Sequence, residues 1–211
     1  MGLALKTPTL YTVDDYMGWT DDAFRCELID GVVFDMSAAP VVKHQETISS
    51  LHFELMSFLR ERHKQGGGGG EPPCLVLESP VDVVLTRNTV VQPDLIVLCN
   101  RAKIINGKNI QGAPDLVVEM LSPSTAAKDK REKFRAYERA GVPQYLIVDP
   151  HEQYAELYTL GEEGRYASPP TILAAEDLLE LAVAPGMGLT LSAVFGWPMP
   201  SKTRPEPNEA N

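Results

Sequence analysis

The N-terminal third of the chain changes from an alternating pattern to a helical one. Residues 24–36, FRCELIDGVVFDM, alternate apolar and polar residues around Asp30-Gly31, a dipeptide that favours a tight turn with positive φ. Between residue 43 and about residue 64, apolar side chains recur every three or four positions, at Ile48, Leu51, Leu55 and Leu59. The pattern predicts an N-terminal β-hairpin followed by an amphipathic helix, which ends at the five glycines 66–70.

Strand-like runs occupy the middle of the chain and enclose a second helix. The runs are CLVLE (74–78), VDVVL (81–85), VVQPDLIVL (90–98), DLVVEML (115–121), QYLIVDP (144–150) and YAELYTL (154–160). Residues 99–113 are predicted to form a loop. Residues 126–140 are predicted to form a helix, because Ser and Thr precede them and Gly141 and Pro143 would end it. This order predicts an α/β fold of the α+β sandwich type.

The last part of the chain has a weaker pattern. Apolar runs at 178–183 and 189–195 predict a small packing appendage, whereas residues from 198 onward contain almost nothing to bury. With 211 residues, of which 44% are hydrophobic, the chain can bury one substantial core. We expect a single domain over residues 10–195 and a flexible C-terminal tail over 198–211.

Composition narrows the class of protein further. The first residues, MGLALKTPTL, lack the apolar region of a signal peptide, and no later run is long enough to span a bilayer, so we expect a cytoplasmic protein. Cys26, Cys74 and Cys99 lack CxxC spacing and are expected to be reduced core thiols. The formal net charge of −10 disfavours non-specific binding of nucleic acid. Basic residues crowd segment 128–139, however, which predicts a local positive rim together with residues 101–108.

Two acids interrupt apolar strand-like runs. Asp94 lies in VVQPDLIVL and Glu119 lies in PDLVVEMLS, where a carboxylate is costly to bury unless it is paired or bound to a cation. One reading is a pair of ligands for Mg²⁺, which prefers oxygen and commonly takes one or two carboxylates. The other is that each acid lies at a strand end in contact with solvent. Two such acids on neighbouring strands favour the metal site.

The helix predicted over 126–140 supplies a cation for the same region. Its predicted inward stripe consists of Ala126, Lys130, Lys133, Tyr137 and Ala140. Lys133 would then either extend its ammonium out to solvent or point it at the carboxylate pair, where it could stabilise charge on a phosphate. Asp129, one turn earlier, could orient Lys133.

These segments resemble a known family. The resemblance rests on ELIDG (27–31), the His-Gln at 44–45, SPVDVVL (79–85), VVQPDLIVL (90–98), the continuous stretch 112–150 and LYTL (157–160). Together they resemble the Uma-two family, a bacterial group of restriction-endonuclease-like proteins within the PD-(D/E)XK nuclease superfamily. The resemblance covers roughly residues 10–195. It implies a restriction-endonuclease-like core, with a mixed central sheet flanked by helices.

The resemblance also implies roles for individual residues. Pro93-Asp94 matches the PD element and Glu119 matches the acid of (D/E)XK, so both would be catalytic and would bind Mg²⁺ or Mn²⁺. The pattern's lysine is replaced by Leu121. The resemblance suggests that the catalytic lysine has moved to the following helix, as Lys133 in the run Asp129, Lys133, Tyr137.

Three further residues are candidates for supporting roles, each with an ordinary alternative. Glu27 either approaches the site or is an exposed hairpin acid. His44 either contacts a phosphate or a metal, or faces solvent at the start of the long helix. Asp115 shares a strand face with Glu119 and is either a third ligand or simply the residue that begins the strand.

The expected function is that of a Mg²⁺-dependent endonuclease, which hydrolyses phosphodiester bonds in DNA. The alternative is a binding or regulatory protein that keeps the nuclease fold without its chemistry, which the acidic net charge favours. We expect DNA as the partner and no membrane association, and leave a homodimer open.

Overall fold

The computed structural model of the protein describes residues 10–19, 25–36, 41–70, 72–122 and 125–195. The tail expected over 198–211 lies outside these residues. Within them, no helix combines the length and the apolar character needed to cross a membrane.

The described residues form strands and helices in the following order. The strands are β1 (Cys26–Ile29), β2 (Val32–Asp35), β3 (Leu75–Glu78), β4 (Asp82–Thr86), β5 (Thr89–Val91), β6 (Leu95–Leu98), β7 (Ile104–Ile105), β8 (Asn109–Gln111), β9 (Leu116–Met120), β10 (Gln144–Asp149), β11 (Tyr154–Thr159), β12 (Thr171–Ala174), β13 (Leu178–Leu179) and β14 (Leu189–Thr190). The α-helices are α1 (Val13–Met17), α2 (Val42–Gln65), α3 (Ala126–Lys128), α4 (Phe134–Ala140) and α5 (Leu191–Phe195). A 3₁₀ turn spans Arg101–Lys103, and a π-helical segment, Asp129–Lys133, joins α3 to α4.

The N-terminal predictions are confirmed. β1 and β2 form an antiparallel hairpin, and its turn residues Asp30 and Gly31 have φ values of 52° and 80°, as the tight turn requires. Helix α2 begins and ends within a residue of the predicted limits and stops at Gly66. Its four predicted core residues, Ile48, Leu51, Leu55 and Leu59, are all buried. Burying each such side chain contributes about 1.5–3 kcal/mol of free energy.

Two six-stranded sheets contain most of the strands. The first has the order β2-β1-β5-β4-β8-β7, and the second has the order β12-β11-β10-β9-β6-β3. In the second sheet, β9 and β10 are parallel and the other neighbours are antiparallel. The helical segment 126–140 is the crossover between β9 and β10. The mixed sheets with flanking helices confirm the predicted α+β class.

The second sheet forms the central layer. One of its faces packs against α2 and the C-terminal segment, through Leu51, Leu55, Leu95, Val97, Leu116, Val118, Leu191 and Phe195 among others. The opposite face packs against the crossover helix and the first sheet, through Ile96, Val117, Ile147, Ala136, Tyr137, Ile29, Val83 and Val91 among others. The apolar runs of the last third therefore complete the α2 side of the core.

The prediction of one strand over 90–98 was wrong. The chain forms β5 in the first sheet, leaves it at Gln92, and enters β6 in the second sheet. Proline has no N–H to donate to a strand partner, so Pro93 favours a break at this point. Asp94 consequently lies immediately before β6, where the chain passes from one sheet to the other. The predicted loop 99–113 also contains β7 and β8.

The expectation of three reduced cysteines was wrong for two of them. Cys74 and Cys99 form a disulfide, whereas Cys26 is a buried free thiol. The antiparallel register of β3 and β6 places Leu75 opposite Leu98, and therefore brings positions 74 and 99 next to each other. Sequence spacing alone does not reveal a pairing that depends on strand register.

Candidate functional site

Asp94 and Glu119 lie side by side at the junction of β6 and β9. The two strands are antiparallel, with Leu95 opposite Val118 and Ile96 opposite Val117, so the same register sets Asp94 opposite Glu119. Asp94 Oδ2 accepts a hydrogen bond of 2.7 Å from the backbone N–H of Met120. Glu119 points to the face that carries the crossover helix, where it contacts Lys133 and Tyr137. Asp94 Oδ2 also lies 3.3 Å from Nε2 of His44 in α2.

Lys133 reaches this face from the crossover helix. Its Nζ lies 2.8 Å from Glu119 Oε1, 2.8 Å from Glu27 Oε1 and 3.8 Å from Asp129 Oδ1. The lysine is only 2% exposed, and Glu27, Glu119 and Asp129 are at most 2% exposed. We call Glu27, Glu119, Asp129, Lys128 and Lys133 the acid–lysine cluster. Of the two readings of Lys133, the structure shows the one in which it points at the carboxylates.

Burial and charge together fix the protonation of the central groups. Burial lowers the pKa of Lys133, but the charges of Glu119 and Glu27 outweigh it and hold that pKa well above its ordinary value. Burial raises the pKa of Tyr137 well above its ordinary value, and the charge of Glu119 adds to the effect. The hydroxyl of Tyr137 donates to Glu119 Oε1 at 2.6 Å. These shifts favour the charged form of Lys133 and the protonated hydroxyl of Tyr137.

The pKa of Glu119 is raised as well, which disfavours its charged form. Burial raises the pKa of Glu119 well above its ordinary value, and the nearby charges of Asp129, Asp94 and Glu27 raise it further, although Lys133 opposes them. A carboxylate held so far from water is stable when a cation lies beside it. The charged form of Glu119 therefore depends on a neighbouring cation.

The π-helical segment determines which helix residues face inward. The predicted stripe placed Lys130 inside, but Lys130 is exposed and pairs with Glu156 at 2.7 Å, whereas Asp129 is buried. A π turn closes hydrogen bonds from i to i+5 and is wider than an α turn. It aligns Asp129, Lys133 and Tyr137, which are spaced by four residues. The stripe was therefore wrong at Lys130 and right at Lys133 and Tyr137.

Glu27 is part of the cluster, and the alternative of an exposed hairpin acid was wrong. Its Oε1 accepts a hydrogen bond of 2.9 Å from the backbone N–H of Gln92, in addition to the contact with Lys133. Its Oε2 accepts from Lys128 Nζ at 2.6 Å. The basic run 128–139 was the only feature of the sequence that singled out Lys128. The sequence did not indicate the contact between Lys128 and Glu27, because a lysine near the start of a helix is ordinarily exposed.

His44 also lies against the site. It is buried near the start of α2, and its Nε2 is 3.3 Å from Asp94 Oδ2, so the alternative of a solvent-facing residue was wrong. Its Nδ1 is buried and has no hydrogen-bond partner among the described residues. A buried ring nitrogen without a partner is uncommon in proteins and is frequently found at functional sites.

Asp115 is placed elsewhere. Its Oδ2 accepts a hydrogen bond of 2.7 Å from the backbone N–H of Cys99, which ties the start of β9 to the end of β6. Four residues along a strand separate it from Glu119, a distance of about 13 Å. The structure therefore supports the reading of Asp115 as the residue that begins the strand.

The positive rim expected around the site is largely neutralised. Five of the six cations in segment 128–139 pair with acids: Lys128 with Glu27, Lys130 with Glu156, Arg131 with Glu132, Lys133 with Glu27 and Glu119, and Arg139 with Asp30. Arg101 and Lys103 donate to the backbone oxygens of Pro72 and Ala113. The cations could be identified from the sequence. Most of their partners could not, because they lie many positions away in the chain.

The donor set fits a small divalent cation held by two carboxylates. Within the described part of the chain, no group of three or more His, Cys, Asp and Glu side chains is arranged around a common point. The protein's own contacts use Oδ2 of Asp94 and Oε1 of Glu119. Among the described residues, Oδ1 of Asp94 and Oε2 of Glu119 accept no hydrogen bond. Two hard oxygens with water completing the shell are typical of Mg²⁺.

Comparison with known proteins shows relatives along most of the chain. Residues 13–192 match the family model Uma2, described as "Putative restriction endonuclease". A protein of Synechocystis sp., described as uncharacterized, is 30% identical over 155 residues, which cover 72% of this chain and 75% of that protein. The crystal structure of a "putative nuclease belonging to DUF820" from Anabaena variabilis has a TM-score of 0.69 at 18% identity, and the match covers 89% of this chain and 98% of that one. The structural likeness shows a shared fold.

Proposed function

The chain belongs to the Uma2 family, a family of nuclease type, and we propose that it is an endonuclease that hydrolyses phosphodiester bonds in DNA with Mg²⁺ or Mn²⁺. Asp94 and Glu119 would hold the cation, as the PD and (D/E) acids of a PD-(D/E)XK site. The observation that carries the proposal is the buried ammonium of Lys133, 2.8 Å from Glu119 Oε1. A fold maintained for stability alone has little reason to bury this arrangement of charges.

Each carboxylate is held by one of its oxygens. The backbone N–H of Met120 fixes Asp94, and Lys133 and Tyr137 fix Glu119, so neither acid needs to reorganise when it binds a cation. When bound, a divalent cation supplies a water ligand of lowered pKa and withdraws charge from phosphate oxygens. Preorganisation of this kind reduces the free-energy cost of reaching the transition state.

Lys133 would stabilise negative charge on the phosphate. The neighbouring acids hold the pKa of Lys133 above its ordinary value, which favours the charged ammonium and a role as an electrostatic stabiliser. Its ammonium is fixed between Glu27 and Glu119, which keeps it beside the acid pair. Losing one preorganised donor of this type commonly costs a hydrolase about 10²–10³ in rate.

His44 is placed to act beside Asp94. Its Nε2 lies 3.3 Å from Asp94 Oδ2, and its buried Nδ1 has no partner among the described residues. We assign it a contact with substrate phosphate or with a water molecule next to Asp94. Asp129 has a different task, since its carboxylate lies 3.8 Å from Lys133 and helps to offset that charge.

Plasmid cleavage in the presence of Mn²⁺ tests the proposal. The wild-type protein is expected to nick or linearise plasmid DNA, and Asp94→Asn and Glu119→Gln are each expected to lower the rate by at least about a hundredfold. Asp115→Asn is the matched control, because Asp115 begins the same strand as Glu119 but lies outside the site. Folding of each variant is checked by circular dichroism.

The same assay separates the two functions that the sequence left open. A wild-type protein that cleaves neither plasmid nor single-stranded DNA with Mn²⁺ would support the binding or regulatory protein. Cleavage that persists in Asp94→Asn would show that the nuclease centre lies elsewhere in the chain.

A further inference from the structure

We infer that Glu27 is a positioning residue of the proposed nuclease site, and that Glu27 and Lys128 adjust its affinity for a divalent cation in opposite directions. The inference rests on the proposed function, since it concerns the cation assigned to Asp94 and Glu119. It assigns Glu27 and Lys128 a role in setting the charge around that cation, rather than in binding it.

Glu27 connects the separate elements that build the site. From β1 it accepts hydrogen bonds from Gln92 N in the segment that leads to Asp94, from Lys133 Nζ and from Lys128 Nζ. Three bonds to one carboxylate that is completely buried fix both of its oxygens. The position of Asp94 and the position of Lys133 therefore depend on the same side chain.

Glu27 also divides the charge of Lys133. The ammonium lies 2.8 Å from Glu27 Oε1 and 2.8 Å from Glu119 Oε1, so it is shared equally between the two acids. Without a charge at Glu27, the nearest acid to the ammonium would be Glu119 at 2.8 Å, with Asp129 further away at 3.8 Å. The ammonium would then compete with a divalent cation for the Glu119 carboxylate.

Lys128 has the opposite effect through the same carboxylate. Its Nζ is 2.6 Å from Glu27 Oε2, and its side chain is 13% exposed. Lys128 neutralises part of the charge of Glu27, and it therefore weakens the attraction between Glu27 and Lys133. Removing Lys128 makes the site more negative and leaves Glu27 in place. Electrostatic influence at this range is strong, because interactions in a partly buried site are weakly screened.

The test is calorimetric binding of Mn²⁺ to the full chain, without DNA. Glu27→Gln is expected to weaken Mn²⁺ binding about tenfold and Lys128→Gln to strengthen it about threefold, so additive effects leave the double variant about threefold weaker than the wild type. Glu156→Gln is the matched control, because Glu156 is another buried glutamate that pairs with a lysine of the same helix, Lys130. It is expected to leave Mn²⁺ binding unchanged.

The opposite signs separate a charge effect from structural damage. Damage to the site would weaken binding in both single variants, and that result would overturn the inference, as would unchanged binding in both. If Glu27→Gln does not fold, Lys128→Gln decides alone, since only the proposed charge effect makes it bind more tightly than the wild type. Thermal unfolding of each variant is recorded alongside.

The experiment also distinguishes the inference from the proposed function. A wild-type chain that binds no Mn²⁺, or an Asp94→Asn variant that binds it normally, would reject the proposed metal site and the inference with it. Binding that is lost in Asp94→Asn but is unaffected at Glu27 and Lys128 would reject the inference alone.

Discussion

Lys133 Nζ and Glu119 Oε1 lie 2.8 Å apart, and both side chains are 3% exposed. The contact joins the crossover helix to β9 across a separation of 14 residues. A pair enclosed in this way is held by mutual attraction that water does not screen, and each member depends on the other to remain charged. Substitutions at this pair should therefore affect stability as well as catalysis.

Lys133→Ala should lower the free energy of unfolding by about 3–5 kcal/mol at neutral pH, because it leaves buried acids without their central cation. Lys130→Ala should lower it by less than about 1 kcal/mol, since the Lys130 side chain is 37% exposed. Urea unfolding measures both. Equal effects of the two substitutions would contradict the central position of Lys133.

Tyr137→Phe should lower the free energy of unfolding by about 1.5–3 kcal/mol, because the Tyr137 hydroxyl donates to a buried carboxylate. Tyr166→Phe is the matched control, since its buried hydroxyl donates to a neutral acceptor, the backbone oxygen of Val142. Its expected cost is about 0.5–1.5 kcal/mol. A cost at Tyr166 as large as that at Tyr137 would argue against a charged acceptor.

Glu156 should make stability depend on pH at the acidic end. Burial raises its pKa, but hydrogen bonds from Lys130 and Tyr158 outweigh burial and hold the pKa below its ordinary value of 4.5. A carboxylate whose pKa is lowered by folding stabilises the protein above its unfolded pKa, and this contribution is lost as the pH falls through the folded pKa.

The measurement is the unfolding temperature of the wild type and of Glu156→Gln over a pH series. The wild type should be more stable at about pH 7, and the difference should disappear by about pH 3. A difference that is independent of pH would show that the charge of Glu156 is not responsible.

DNA binding should depend on divalent cations more than on salt. Because five cations of segment 128–139 pair with acids, few remain for phosphate contacts. The slope of log K against log salt should be no steeper than about −3, which corresponds to about three phosphates neutralised. Ca²⁺ should strengthen binding, because it offsets the repulsion between the acid pair and DNA.

Fluorescence anisotropy of a labelled duplex, at several salt concentrations with and without Ca²⁺, measures both quantities. A steep salt dependence without any effect of Ca²⁺ would place the DNA on a basic surface away from Asp94.

The main features of the site could be predicted because burying an acid is costly. Asp94 and Glu119 stood out against apolar neighbours, and the register of β6 and β9 sets the two positions opposite each other. Pro93 indicated a possible break in the strand. Because apolar residues continue on both sides of it, the sequence did not reveal that β5 and β6 belong to different sheets.

Other features could not be predicted, because they depend on tertiary structure. A hairpin strand ordinarily leaves one face exposed, yet all four residues of β1 are buried, including Glu27. The alternation of the sequence could not show that both faces would be covered. A helical pattern in the sequence also does not reveal a π turn. The π turn places Asp129 on the inner face, where the pattern had predicted Lys130.

The ion pair between Glu27 and Lys128 spans 101 positions of the chain, and the bond from Gln92 to Glu27 spans 65. Closing contacts between residues so far apart costs loop entropy, which the rest of the fold must offset. During synthesis, a chain that has not yet reached Lys128 already contains Glu27, Asp94 and Glu119, but not the lysines that hold them. The acid–lysine cluster therefore cannot be completed until Lys128 and Lys133 have been added, and shorter chains carry its acids without their cations.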